Sequence, residues 1–148
     1  MDGRNFSKSN FKDRSIDEKE REWKRLLKER LGEDYINKIL NFNELNSEDL
    51  KDFISKLKDY VKEKEINTTK LRKIYDIIKR ADNKEKLILS LPTLAYLVGK
   101  EPDNVLDKIG DIVLLLTECI YAIQNENHFR NIQKFTETLI AYHKYFHA

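Results

Sequence analysis

The most constraining stretch of this chain runs from Asp103 to Gln124, DNVLDKIGDIVLLLTECIYAIQ. Val105, Ile109, Ile112, Leu116, Ile120 and Ile123 recur at three- and four-residue steps, while Leu114, Leu115 and Tyr121 fall off that line. A surface helix shows one apolar stripe; this one is apolar nearly all round, which predicts the buried spine of a bundle. Pro102 and Asp103 mark its start, because the Asp carboxylate accepts hydrogen bonds from the first free amides and suits the positive end of the helix dipole. Asn125 to Asn127 mark its end, where short polar side chains compete for backbone hydrogen bonds.

The remaining apolar stripes are shorter and one-sided, as elements packed around such a spine require. Ser15 with Glu18 has the form of a capping box opening a charged helix to about Leu31, with a thin apolar line of Ile16, Trp23, Leu26, Leu27 and Leu31. A short helix is expected from Glu33 to Asn43. Ser47 is the expected N-cap of a helix over 48–63, with Leu50, Phe53, Ile54, Leu57, Tyr60 and Val61 facing inward. Lys51, Lys56, Lys58 and Lys62 share its other side with Asp52, Asp59 and Glu63, an ordinary solvated face. Thr68 caps the next expected helix, Lys84 to Ser90 and the stretch after Pro92 form two more, and Gly99 stops the last of these. After the spine, Phe129, Ile132, Phe135, Leu139, Tyr142 and Phe146 predict a terminal helix folded back on it as a hairpin.

These elements predict an all-α fold, a compact helical bundle of about five to six helices around a central apolar helix. Residues 1–14 lack periodicity and read as a flexible N-terminal tail, with 15–148 as a single helical-bundle domain. Cys119 is alone and sits in the apolar spine, so it cannot form an internal disulfide. No apolar run approaches the roughly 18 residues of a membrane span. The expectation is a soluble, cytoplasmic protein with no membrane partner.

The net charge of +2 conceals an uneven distribution. From Ile66 to Lys84 six basic residues face two acidic ones; from Glu101 to Asn127 six acidic residues face Lys108 alone. In the basic segment, Leu71, Ile74, Tyr75, Ile78 and Ala81 share one arc at 100° per residue. Arg72, Lys73, Lys79 and Arg80 lie across from it with Asp76 among them, an array that suits the repeated phosphates of a nucleic-acid backbone. A plain solvated basic face is the competing reading. No aromatic residue interrupts this face, so base stacking is not indicated there.

Catalytic signatures are missing. The glycines are scattered at Gly3, Gly32, Gly99 and Gly110, so there is no phosphate-cradling loop. His143 and His147 are four apart, but no third ligand is placed beside them. Nothing positions Cys119 and His128 as nucleophile and base. No catalytic residue, metal site or cofactor is expected.

Three stretches, INTTKLRK (Ile66 to Lys73), LPTLAYLVGKE (Leu91 to Glu101) and FTETLIAYHKYF (Phe135 to Phe146), give the chain from Ile66 to Ala148 a resemblance to the small, all-helical Csm subunit of type III-A CRISPR effector complexes. The residues before Ile66 resemble nothing specific. The resemblance implies a non-catalytic subunit present in several copies. These form an inner filament beside the Csm backbone and large subunits and contact the backbone of guide RNA and target RNA. By motif position it implies phosphate contacts from Lys70 and Arg72, with Lys73 nearby. Lys100 replaces the arginine usual after the glycine, keeping the charge without the planar fork. Lys79 and Arg80 are added from the face geometry. The alternative is a helical protein–protein adaptor whose charged first helix docks a partner and whose basic face is idle.

Overall fold

The computed structural model describes residues 3–99, 101–102 and 106–147. Among these residues there is no strand, and the architecture is all-α. The longer helices are α1 (Gly3–Leu31), α3 (Ser47–Glu63), α4 (Thr68–Arg80), α7 (Gly110–Tyr121) and α8 (Glu126–His147). Shorter pieces join them: α2 (Tyr35–Leu40), a 3-10 turn (Phe42–Glu44), α5 (Lys84–Leu89) and α6 (Leu91–Gly99).

The first helix begins upstream of Ser15, where the capping box placed it. No proline or glycine interrupts residues 4–31, so nothing in the chain stops the helix from extending back to Gly3. It ends at Gly32, whose φ of 101° lies in the left-handed region that glycine enters without penalty. Trp23, Leu27 and Leu31, spaced one turn apart, are buried. The caps of α3 and α4 sit one residue earlier than expected. Asn46 accepts from the Asp49 amide at 2.8 Å and Asn67 from the Lys70 amide at 2.9 Å, so Ser47 and Thr68 are first helical residues rather than caps.

The spine is nearly all buried, as its pattern required, but it is shorter than the sequence indicated. Its helix starts at Gly110, and the expected cap, Asp103, lies outside the described residues. The Trp23 indole covers Gly110 so closely that a Cβ there would stand 2.2 Å from the ring. The carboxylate of Asp111 accepts from the Ile112 amide at 2.9 Å, supplying the partner that the helix start needs.

The hairpin expectation also needs correction. α7 packs chiefly on α1 and α6, whereas α8 packs chiefly on α2, α3 and α4 and touches α7 less. Phe42, Phe53 and Phe135 meet with ring centroids 6.0 to 6.2 Å apart and close the core between α3 and α8. Phe53 lies against Phe135 and the Val61 carbonyl is 3.0 Å from His147 Nε2, so α3 and α8 run parallel. Gln133 reaches the end of α4 and His143 bonds the backbone of Ile66 just before its start, so α4 and α8 run antiparallel.

Candidate nucleic-acid interface

α4 is anchored from beneath. Leu71, Ile74 and Ile78 are fully buried, and Tyr75, Ile77 and Ala81 pack half-buried against the same core. Burying each of the first three is worth about 1.5–3 kcal/mol, which outweighs any exposed ion pair on this helix. From α8, the Gln133 amide donates to the carbonyls of Ile78 at 3.1 Å and Ala81 at 3.0 Å. Those carbonyls belong to the open end of α4, so one side chain satisfies orphan acceptors and fixes the rotation of the helix.

Four of the expected contact residues emerge on the opposite side. Arg72, Lys73, Lys79 and Arg80 are exposed, and among the described residues no carboxylate lies within ion-pair distance of any of them. By helix geometry Arg72 and Lys79 form one line and Lys73 and Arg80 another, each pair about 10 Å apart along the axis. The Lys79 ammonium leans over the Tyr75 ring, 5.5 Å from its centroid. Asp76 is exposed between the lines.

Two expected residues do not join this face. Lys70 is only 9% exposed and its ammonium is held by Glu101. Its position on the wheel, between those of Ile74 and Ile77, puts it at the border of the core arc. That signal was in the sequence. Lys100 lies outside the described residues.

The acidic segment has the opposite fate. Glu101 holds Lys70; Asp107 takes Lys19 at 2.9 Å; Glu118 takes Lys24 and the Tyr35 hydroxyl; Glu126 lies 3.6 Å from Lys84. Asp111 is fully buried, accepts from the Tyr60 hydroxyl and lies 3.2 Å from Lys64 Nζ. Burial raises the Asp111 carboxyl above its usual range while Lys64 and Tyr60 pull it down, and burial raises the Tyr60 hydroxyl. The sequence reading missed this buried network, although an aspartate inside an apolar spine is itself a signal for one.

A family model described as Csm2 Type III-A matches residues 44–148. The chain belongs to that family. Comparison with curated proteins and with solved structures gave no match. Membership makes the chain a small subunit of the type III-A Csm complex, alongside other Csm subunits, in a family whose small subunits are structural rather than catalytic. The match takes in α3 and α4 through α8, so it reaches further toward the N-terminus than the resemblance that began at Ile66.

Cys119, His128 and His143 have structural roles. Cys119 is fully buried, and burial pushes its thiol up, away from the thiolate that nucleophilic chemistry needs. His128 Nδ1 accepts from the Gln124 amide at 3.1 Å, and the His128 amide donates to Asn125 at 2.9 Å, so this pair caps α8. His143 is 3% exposed, and burial together with His147 lowers its pKa. Among the described residues no group of three or more His, Cys, Asp or Glu side chains is placed to hold a metal ion. No described helix is long and apolar enough to cross a membrane.

Proposed function

We propose that this Csm small subunit binds the sugar-phosphate backbone of guide and target RNA through the outer face of α4, without sequence specificity and without cleaving it. The observation that carries the reading is the set of four exposed cations, Arg72, Lys73, Lys79 and Arg80, left without carboxylate partners on a helix locked from below. Lysine and arginine contacts to phosphate read no bases, which suits a subunit whose guide sequence changes while base pairing supplies the specificity. Single copies bind weakly on this account. Several copies in an inner filament, beside the Csm backbone and large subunits in the cytoplasm, supply the affinity through repeated contacts.

The test is the double charge reversal Arg72→Glu with Lys73→Glu, assembled into the Csm complex and titrated with target RNA. The expected loss is about tenfold or more in affinity, with a salt slope flattened by about 1 per lost contact. A complex that assembles normally and binds target RNA as tightly as before overturns the reading and leaves the adaptor alternative standing.

A further inference from the structure

A second cationic surface lies on α3, away from α4. Lys51, Lys58 and Lys62 fall within about 40° of one another around that helix and extend over about 16 Å of its length. All three are exposed, and among the described residues no carboxylate lies within ion-pair distance of any of them. Lys56, by contrast, is taken up by Asp52 at 3.0 Å. Of the acids on this end of α3 and just beyond it, Glu63 is held by Arg30 and Glu65 by Lys108, while Asp59 stands off the lysine row.

The row ends at a ledge of aromatic rings on the last turns of α8. The Lys62 ammonium lies 5.9 Å from the centroid of Phe146. Tyr145 meets Phe146 edge-on at 5.0 Å, and Tyr142 stacks near it at 6.5 Å with 23° between the planes. Tyr142 and Phe146 are half-buried against the core, which accounts for them. Tyr145 is 75% exposed, and core packing does not account for it. Lys144 beside it is exposed and has no carboxylate partner among the described residues.

An aromatic ring anchored at the end of a line of free lysines is the arrangement that holds a nucleic-acid strand by its phosphates and a base by its face. In a duplex the base faces are already stacked, so only an unpaired strand has a face to offer. We propose that this ledge binds single-stranded nucleic acid, with phosphates along Lys51, Lys58 and Lys62 and a base stacked on Tyr145. The site uses none of the α4 residues, and it takes the unpaired strand rather than the duplex.

The full chain is titrated by fluorescence anisotropy with a single-stranded oligouridylate of about ten nucleotides, an abasic oligomer of the same length, and a blunt RNA duplex. Tyr145→Ala is expected to weaken binding of the oligouridylate about tenfold, the size of one lost stacking contact. Tyr145→Phe retains binding, and Tyr145→Ala leaves the abasic oligomer and the duplex unaffected. Lys58→Glu with Lys62→Glu weakens the oligouridylate and the abasic oligomer together. The proposal is overturned if the wild-type chain does not bind the oligouridylate, if it binds the abasic oligomer equally tightly, or if Tyr145→Ala binds like wild type. It is also overturned if Tyr145→Ala instead lowers self-association in sedimentation, which would assign the ledge to a second copy. The Arg72→Glu and Lys73→Glu chain is expected to lose duplex binding and keep the Tyr145 dependence, so the two sites succeed or fail separately.

Discussion

The basic segment around α4 and the acidic segment from Glu101 to Glu126 look like equal and opposite features in the sequence, yet the fold treats them differently. Among the described residues of the acidic segment, each acid meets a cation or a hydroxyl from another part of the chain: Lys70, Lys19, Lys64, Tyr60, Lys24, Tyr35 and Lys84. On α4, four cations point outward and meet no carboxylate. The first set of charges holds helices together, and the second is left for something outside the molecule. Counting charges along a chain does not separate these cases; knowing which charges have partners does.

This contrast sets the size of the effects that would break it. Asp111→Ala leaves the buried Tyr60 hydroxyl without its acceptor and Lys64 with only the Asp107 carbonyl, and is expected to cost about 3 kcal/mol in urea unfolding. A cost below roughly 1 kcal/mol would show that the acidic segment is not structural in this way. Gly110→Ala drives a methyl into the Trp23 ring and is expected to cost about 1–3 kcal/mol. Because Trp23 is the only tryptophan, its emission should shift toward the exposed wavelength, and an unchanged spectrum would contradict the close contact.

Lys70→Met sharpens the comparison from within α4. With its ammonium committed to Glu101, the substitution is expected to change stability by about 1 kcal/mol and leave RNA affinity unmoved. A large loss of RNA binding would place Lys70 with the outward cations after all.

A pH titration probes the clamp beside the start of α4. His143 has a lowered pKa in the fold, so the unfolded chain binds its proton more readily. The stability it contributes is present above its ordinary value of 6.5 and is lost as pH falls through the lower folded value. His143→Asn should flatten that part of the pH–stability curve. The smallest expected effect on stability is that of Arg72→Glu with Lys73→Glu, within about 0.5 kcal/mol, because neither side chain holds anything in the fold.

Much of this was legible in local patterns. The stripes of α3, α4 and α8 follow from apolar spacing alone, and the outward side of α4 follows from the same wheel. The same wheel sets Lys70 on the core border, where the structure holds it against Glu101. The caps of α3 and α4 fall one residue before Ser47 and Thr68 because an asparagine precedes each and caps as well as serine or threonine does; Asn46, Asn67, Asn83 and Asn125 each accept a backbone amide at a helix start. The packing of Trp23 on Gly110 at the start of α7 was beyond local reading, since the two residues lie 87 positions apart in the chain. The choice of partners for α7 and α8 was hidden for the same reason. Chain proximity favours a hairpin, whereas α7 packs chiefly on α1, from the other end of the chain.

The reach of Gln133 into the end of α4 has a practical consequence for anyone borrowing this surface. A synthetic peptide spanning residues 68–80 would carry the same four cations but not the brace 53 residues downstream that sets which way they turn. Shortening the protein from its C-terminus would have the same outcome: charge conserved, aim lost.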